Sequence, residues 1–256
     1  MNASAEAYDL PARVRTYDHD MEIMHPLRNK MIDIALTILP FDKGLKFSVL
    51  DLGTGTGVFA HKLLERFPDA KVVAVDGAAA MLDLAKSRLG NYCQRVQWVN
   101  CEFQNLPPEI VKPNAFDLVI SSYALHHLNR AEKLKLLTGV VKALKPGGWL
   151  LNADIVVAGS DAIESRIQEI RVSAVTNRAP TDDLRFQDTV ATRRFLDELE
   201  AADHDQPQTL ESDLQVVRES GIESAEVLWK EFREVVIGGP KSFSTADCST
   251  CTEVTL

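Results

Sequence analysis

The sequence predicts an α/β protein whose core is a doubly wound, mostly parallel sheet of seven strands, with a helical cap inserted after strand five. Three observations carry this prediction. Between residues 47 and 157, short runs that are apolar throughout alternate with segments of helical periodicity, which is typical of parallel strands covered by helices on both faces. A glycine-rich turn follows the first apolar run. After the fifth run the alternation stops, and residues 158–206 are charge-rich with partial apolar stripes.

Composition and charge exclude several classes of protein. The 256-residue chain is 45% apolar and 25% charged and has a formal net charge of −9, within the range of ordinary globular proteins. An acidic chain is a poor match for nucleic acid or an anionic membrane surface. No apolar run approaches the roughly 20 residues of a membrane span, and the first ten residues lack the apolar core of a signal peptide. Four cysteines favour a reducing cytoplasm over a disulfide framework.

The predicted elements divide the chain into a cover, a core, a lid and a tail. Residues 1–46 start irregularly and then predict a helix from Leu27 to Leu39, together forming a helical cover. The core strands are predicted at 47–52, 71–76, 95–100, 116–121 and 149–157, with two closing strands within 226–237. The core helices are predicted at 58–67, at 78–89, from the Asn129 cap onward and at 209–220. The core thus comprises 47–157 and 207–241, with a lid at 158–206 and a flexible tail at 242–256.

The glycine turn and an acid in the next strand indicate a nucleoside cofactor. Gly53, Gly55 and Gly57 let the backbone turn tightly and approach a ligand closely. Asp76 lies 19 residues after Gly57, at the end of the second strand, where a carboxylate can accept both ribose hydroxyls. Asp51, just before the turn, would repel a pyrophosphate and suits an ammonium or sulfonium. The pattern therefore favours S-adenosylmethionine over a nicotinamide dinucleotide.

Five segments within residues 47–151 occur in a family-specific order. They are 49–57 (VLDLGTGTG), 72–76 (VVAVD), 100–107 (NCEFQNLP), 116–128 (FDLVISSYALHHL) and 144–150 (LKPGGWL). In this order they resemble the motifs of the class I S-adenosylmethionine-dependent methyltransferases. The resemblance implies a Rossmann-like methyltransferase fold and in-line methyl transfer from S-adenosylmethionine to a small-molecule acceptor.

The resemblance also implies roles around the cofactor. Asp51 and the Ser121 carbonyl would hold the methionine ammonium, and Asp76 would accept the ribose hydroxyls. Met81 would pack on the adenine, and Glu102, in place of the commoner Asp, would accept from the adenine amino group. The predicted cofactor-binding residues are Asp51, Gly53, Thr54, Gly55, Gly57, Asp76, Gly77, Met81, Cys101, Glu102, Phe103 and Ser121. The segment before the next helix lacks the Ser or Asp that often caps it in this family.

Candidates for the chemistry come from the segment after strand four and from the N-terminal cover. The predicted catalytic residues are His126 as a general base, with Tyr17 and Tyr123 at the methyl pocket. The predicted acceptor-binding residues are His19, Arg28, His127 and Arg171. The alternatives are core packing for the histidines, an anchoring role for Tyr17 and surface ion pairs for the arginines.

No metal site is predicted. Adjacent histidines cannot easily share one ion, and no third ligand for His126 and His127 is evident in the sequence. Cys248 and Cys251 form a single CxxC without a second pair, which is weak evidence for a metal or redox function.

Two alternative functions keep the same cofactor. One is a carboxy-S-adenosylmethionine synthase-like enzyme, using the region of Tyr17 and Arg28. The other is a non-catalytic S-adenosylmethionine-binding subunit that stabilises a partner. A base-flipping nucleic-acid methyltransferase is disfavoured, because the segment after strand four lacks an Asn-Pro-Pro-Tyr-type signature. Residues 151–256 hold 10 basic and 21 acidic side chains. An acidic lid also favours a small acceptor over a polyanion. Homodimer formation is left open.

Overall fold

Seven strands form one sheet in the order β3-β2-β1-β4-β5-β7-β6 in the computed structural model of the chain, which describes residues 8–243. The strands are β1 (Ser48–Leu52), β2 (Lys71–Asp76), β3 (Val96–Asn100), β4 (Phe116–Ser122), β5 (Leu144–Ile155), β6 (Glu226–Glu231) and β7 (Glu234–Pro240). Strands β1 to β5 pair in parallel, whereas β7 is antiparallel to both β5 and β6. The predicted doubly wound, mostly parallel fold class is therefore confirmed.

Helices cover both faces of the sheet and build the cap. They are α1 (Pro11–Met24), α2 (Arg28–Ile38), α3 (Val58–Arg66), α4 (Ala79–Arg88), α5 (Arg130–Ala143), α6 (Asp161–Arg178), α7 (Thr189–Ala202) and α8 (Leu210–Glu219). Short 3₁₀ turns occur at Gly90–Arg95, Phe103–Asn105, Leu125–His127 and Leu184–Phe186. Within residues 8–243, none of the helices has the length and apolar character needed to cross a membrane.

The all-apolar strands bury both of their faces. Neighbouring residues of a strand point to opposite sides, so Val49 belongs to one buried cluster and Leu50 to the other. In β4, Leu118 and Val119 divide in the same way. All four side chains are at most 1% exposed, which explains why the strands read as continuous apolar runs and not as alternating ones.

The helix boundaries follow the predicted caps. The Asn129 side chain accepts from the backbone N–H of Glu132, and the Glu132 carboxylate accepts from the Asn129 N–H, so the predicted capping box is confirmed. The helix α8 begins after a Thr209 cap and ends before Gly221. Ala78, before α4, makes no side-chain cap, in agreement with the missing Ser or Asp, and the Asp9 carboxylate instead accepts from the Ala80 N–H at 2.8 Å.

Two predicted boundaries were wrong. The irregular N-terminal start is instead the helix α1, because its end packs against the cap: Ile23 and Met24 of α1 join a buried cluster with Val172 of α6. Tertiary packing thus stabilises a helix with a weak apolar stripe of its own. Strand β5 begins at Leu144 and not after the Gly turn, since Leu144 pairs with Phe116 of β4.

The sheet topology creates a crevice for ligand binding at one edge of the sheet. The parallel strands β1, β2 and β4 end at this edge, and the strand order reverses between β1 and β4. Ligands of open α/β sheets bind in the crevice at such a switch point. The helix α1 and the cap helices α6 and α7 pack together, and the residues that line the cavities come from these elements and from the strand ends.

Candidate functional site

A cavity lies at the carboxyl ends of β1, β2 and β4, the position at which open α/β sheets bind their ligands. Nine predicted cofactor-binding residues line it: Asp51, Gly53, Thr54, Gly55, Asp76, Gly77, Met81, Glu102 and Phe103. Four residues predicted for catalysis or acceptor binding line it as well: Tyr17, Arg28, Tyr123 and His127. The structure therefore brings most of the predicted site to one place.

Three predicted cofactor residues lie outside the lining of this cavity. Gly57 starts α3 at a φ of 78°, where an added Cβ would lie 2.9 Å from the Leu89 side chain, so it serves helix packing. The Ser121 hydroxyl donates to the Leu52 carbonyl at 2.9 Å and ties β4 to β1. The Cys101 N–H donates to the Asp76 carbonyl at 3.1 Å. Their predicted contacts with the cofactor stay predictions.

The glycine turn leaves room for a ligand at one position. Gly53 has a φ of 70°, and a Cβ there would lie 2.4 Å from the Cβ of Ala124. Gly55 has a φ of 53°, and the nearest atom to an added Cβ is the Gly53 carbonyl oxygen at 4.0 Å. A ligand can therefore approach the backbone of Gly55 closely, as the predicted cofactor requires.

Asp76 is held in a fixed orientation beside this turn. Its Oδ2 accepts from the Gly55 N–H at 2.8 Å, and its Oδ1 accepts from the Ala78 N–H at 2.9 Å. Burial raises the pKa of Asp76, against the two backbone hydrogen bonds that lower it. Each carboxylate oxygen has a second lone pair, so the side chain can still accept the hydroxyls of a ribose.

Asp51 is a buried acid without a basic partner among the described residues. It is 1% exposed, and its Oδ2 accepts from the Thr54 hydroxyl at 2.6 Å. Burial raises the pKa of Asp51 to about 7, the Thr54 hydrogen bond opposes this, and nearby Asp76 adds to it. A carboxylate in this position is stabilised by a cationic ligand. The residues present thus fit a sulfonium or ammonium group.

A second cavity adjoins the first. It lies between α1, the cap helices α6 and α7, and Ile155 at the end of β5. The two cavities share Tyr8, Tyr17 and Tyr123 in their lining. Two of these shared residues were predicted as catalytic, and they stand at the junction of the two cavities.

Tyr123 has the features of a residue held ready for a ligand. It adopts a φ of 48°, and its backbone N–H donates to the Ala153 carbonyl at 3.0 Å. Its hydroxyl is buried and has no hydrogen-bond partner within residues 8–243. Burial raises the pKa of the Tyr123 hydroxyl, and Glu234 adds to the effect. A buried hydroxyl left unpaired is costly, and a ligand in the cavity can remove that cost.

His25 and Glu234 belong to the second cavity and its surroundings, although neither was predicted as a site residue. His25 lines the second cavity, and its ring lies 4.8 Å from the Tyr123 ring. Its Nδ1 lies 3.3 Å from Oε1 of Glu234. Burial lowers the pKa of His25, although Glu234 opposes the effect. Since 209 residues separate the two side chains, no local signal could have paired them.

His126 lines the second cavity and not the first. Its Nδ1 lies 2.6 Å from Asp154 Oδ1, and its Nε2 lies 3.4 Å from Asp205 Oδ1. Burial opposes the charge, but the two carboxylates raise the pKa of His126 to about 10. Both ring nitrogens therefore face carboxylates, and neither is free to take a proton from an acceptor.

The rings of the adjacent His126 and His127 lie close together and do not point in different directions, as they would on an α-helix. They lie in a 3₁₀ turn, with ring centroids 4.2 Å apart, and His127 Nδ1 lies 2.9 Å from Asp205 Oδ1. Burial and the neighbouring His126 lower the pKa of His127. Asp205 is thus a third polar side chain at this pair, contrary to the premise that no further metal ligand is present.

The remaining predicted acceptor residues are placed differently. Arg171 lines the second cavity and pairs with Glu200, which also binds Arg233 at 3.0 Å. His19 is exposed and lines neither cavity. Cys248 and Cys251, like the predicted tail beyond residue 243, lie outside the described residues.

The fold and the site together define a class of protein: a doubly wound α/β protein with a glycine turn, an oriented carboxylate beside it and a buried acid without a basic partner among the described residues. The sequence model of the methyltransferase domain family matches residues 49–148, which include that turn and the strands β1 to β4. Residues 49–148 are thus similar to methyltransferase domains, and this similarity supports S-adenosylmethionine as the cofactor.

Individual proteins agree with this assignment. An uncharacterized methyltransferase of Geobacillus kaustophilus is 33% identical over 136 residues, covering 53% of this chain and 59% of the relative. A demethylmenaquinone methyltransferase of Thermus thermophilus is 32% identical over 147 residues, covering 57% and 60%. An O-methyltransferase family protein from Burkholderia thailandensis shares the fold, with a TM-score of 0.63, 19% identity and coverage of 92% of this chain and 62% of that one. The matches thus span about 60% of each relative.

Proposed function

We propose that this chain transfers a methyl group from S-adenosylmethionine to a small-molecule acceptor bound in the second cavity. The observation that carries the proposal is the junction of the two cavities, which share Tyr8, Tyr17 and Tyr123. When bound, S-adenosylmethionine supplies an electrophilic methyl group on a sulfonium. Two adjoining cavities can hold the reacting partners in line, and alignment supplies most of the rate enhancement in a simple displacement.

The first cavity supplies the proposed cofactor contacts. Asp76 accepts the ribose hydroxyls, and Asp51 binds the methionine ammonium, directly or through water. Met81 and Phe103 lie on the lining where an adenine would stack, and Glu102 accepts from its amino group. These roles agree with the buried, oriented carboxylates and with the open space at Gly55.

The helix α1 closes the site from solvent. Asp18 of α1 accepts from the Thr56 hydroxyl at 2.8 Å and from Arg88 at 2.6 Å, which docks the helix on the core. Asp20, two residues further along α1, accepts from Arg185 of the cap at 2.8 Å. We infer that this cover excludes water from the junction of the cavities, so that a polar transition state meets fixed protein groups.

Proton removal, where the acceptor requires it, is assigned to His25. Its low pKa keeps the imidazole neutral, and Glu234 occupies Nδ1, which leaves Nε2 as the accepting nitrogen. The Tyr123 ring lies beside the His25 ring. The unpaired Tyr123 hydroxyl can donate a hydrogen bond to a polar atom of the acceptor. This assignment replaces His126, whose two ring nitrogens face Asp154 and Asp205.

A small acceptor is supported by two observations. The second cavity is enclosed by the cap and α1, and its arginine Arg171 is paired with Glu200, which leaves it less free for a polyanion. The Thermus thermophilus relative is named as a demethylmenaquinone methyltransferase. We therefore propose a small-molecule acceptor with an oxygen, nitrogen, carbon or sulfur nucleophile.

Filling the second cavity tests the location of the acceptor. Leu199 of α7 lines this cavity and not the first. We expect Leu199→Trp to lower methyl transfer at least about tenfold, because an added ring occupies acceptor space and misplacement is costly, while S-adenosylmethionine binding is retained. The measurement is S-adenosylhomocysteine formation with a panel of phenols, hydroxyquinones, amines and thiols.

The matched control is Leu184→Trp, on a cap residue that is 75% exposed, and it should retain full transfer. Equal activity of both variants would place the acceptor elsewhere. Cofactor binding by the wild-type protein without transfer to any acceptor of the panel would favour the non-catalytic subunit. A carboxylated cofactor co-purifying with the protein, identified by mass spectrometry, would favour the synthase-like alternative.

Replacing His25 tests the proposed base. For an acceptor that loses a proton, His25→Ala is expected to lower kcat by about 100-fold, within the range of general-base contributions, with unchanged cofactor affinity. Because Glu234 raises the pKa of His25, Glu234→Gln should move the acidic limb of the kcat–pH profile to lower pH. His61→Ala, on α3, is the control with normal kcat. Full activity of His25→Ala would refute the assignment.

A further inference from the structure

We propose that His126, His127 and Asp205 bind a divalent transition-metal ion, such as Zn²⁺, at the junction of the two cavities. His127 lines the first cavity, and His126 and Asp205 line the second. One ligand atom from each residue lies within 4.8 Å of the other two. Two imidazole nitrogens and one carboxylate oxygen form a donor set that zinc accepts in proteins.

The spacing of the donor atoms fits a tetrahedral ion. Ligands at about 2.0–2.2 Å from zinc and at tetrahedral angles are about 3.3–3.5 Å apart. Asp205 Oδ1 lies 3.4 Å from His126 Nε2 and 2.9 Å from His127 Nδ1. Two of the three donor separations are thus within about 0.5 Å of the tetrahedral values, and the third is at most 4.8 Å.

A carboxylate behind His126 orients the ring for this role. Asp154 Oδ1 lies 2.6 Å from His126 Nδ1, and Asp154 Oδ2 accepts from the His126 backbone N–H at 3.0 Å. Metal-binding histidines commonly donate their other ring N–H to a carboxylate, which fixes the tautomer. Because Asp154 is 0% exposed on β5, it holds the His126 ring with Nε2 directed to Asp205.

The three donor atoms contact one another in the metal-free protein. His127 Nδ1 and Asp205 Oδ1 are both buried and lie 2.9 Å apart as an ion pair. Asp205 Oδ1 also lies 3.4 Å from His126 Nε2. An ion bound between the three atoms would replace these contacts by metal–ligand bonds.

The loop that carries Asp205 is fixed to the histidine turn. The Gln206 N–H donates to the His126 carbonyl at 2.8 Å, and the Gln206 side chain donates to the His127 carbonyl at 3.2 Å. The third ligand is thus positioned before an ion arrives. Three protein ligands leave a fourth coordination position, as in catalytic zinc sites, and the cavities flank it.

Co²⁺ binding tests the site without any methyl-transfer assay, so its failure is separate from failure of the proposed function. The titration uses the full-length chain carrying Cys248→Ser and Cys251→Ser, which removes the cysteine pair. We expect one equivalent of Co²⁺ with the visible absorption of a four-coordinate nitrogen–oxygen site, displaced by one equivalent of Zn²⁺. Asp205→Asn should lose this signal, and Asp154→Asn should bind about 10- to 100-fold more weakly.

Asp197→Asn is the matched control, since Asp197 is an exposed carboxylate of α7, and it should bind like the parent. Circular dichroism of the metal-free Asp205→Asn protein establishes that it is folded. Zn²⁺ should raise the melting temperature of the parent and not that of Asp205→Asn. Absence of the Co²⁺ spectrum in the parent, or an unchanged spectrum in folded Asp205→Asn, would overturn the proposal.

Discussion

Replacing Asp76 by Ala is expected to lower the affinity for S-adenosylmethionine by about 100- to 10,000-fold. Each hydrogen bond to a charged group contributes about 1.5–3 kcal/mol, and a ribose offers two hydroxyls to this carboxylate. The backbone bonds from Gly55 and Ala78 hold Asp76 in place, so the ligand meets an already oriented acceptor. Isothermal titration calorimetry measures the change.

Asp83→Ala is the matched control for Asp76→Ala. Asp83 lies on the neighbouring helix α4, pairs with Lys86 and is 73% exposed, so its removal should leave cofactor affinity unchanged. The variant of Asp76 should keep the far-ultraviolet circular dichroism of the wild type, because the buried sheet is independent of this side chain. Wild-type affinity in a folded Asp76→Ala protein would disprove the proposed cofactor orientation.

Asp51→Asn is expected to remove a pH dependence from both cofactor binding and stability. The pKa of Asp51 is raised by burial from its ordinary 3.8 to about 7. A cationic ligand favours the ionised carboxylate, so cofactor affinity of the wild type should rise with pH and level off above about pH 7. The variant should bind the cofactor about 100-fold more weakly at pH 8, since a buried ion pair loses one partner. Its cofactor affinity should not show the rise with pH that ionisation of Asp51 causes in the wild type.

The stability of the cofactor-free protein should change in the opposite sense. Between pH 4 and 7 the folded state holds a proton on Asp51 that the unfolded state has released, so the free energy of unfolding falls as pH rises. The total loss is up to about 4 kcal/mol, and it stays constant above pH 7. Asp51→Asn cannot ionise and should therefore melt several degrees higher than the wild type at pH 8.

Thermal unfolding of both cofactor-free proteins at pH 4.5 and pH 8 measures this difference. At pH 4.5 the difference in melting temperature should be much smaller than at pH 8, because folded wild-type Asp51 is then neutral and only the unfolded state is ionised. Because both proteins share all other titrating groups, the difference between their melting temperatures depends on Asp51 alone. A variant that melts below the wild type at pH 8 would show that Asp51 has a cationic partner in the free protein.

Much of the fold follows from local patterns in the chain. Strands such as β1 and β4 bury both faces, so their apolar runs are distinctive, and the Asn129 capping box marks the start of α5 by itself. The helix α1 is different, because its buried end at Ile23 and Met24 depends on the cap helices. A helix stabilised by distant packing shows little periodicity of its own.

The sequence by itself determined the cofactor half of the site. Gly53, Gly55 and Asp76 belong to one strand–helix–strand unit, whose short connections place the glycine turn and the next strand end together. Geometry of this kind depends on spacing, and spacing can be read along the chain. Met81, Glu102 and Phe103, which also line the first cavity, were predicted from the resemblance to the methyltransferase motifs and not from this spacing.

Only the tertiary structure decided the acceptor half. His25 meets Glu234 across 209 residues, and Asp205 reaches the histidine turn from the end of the cap. The 3₁₀ turn, and not a helix, brings the His126 and His127 rings 4.2 Å apart. These contacts form only when α1 and the cap fold over the sheet edge, because nothing in their local sequence ties one element to the other.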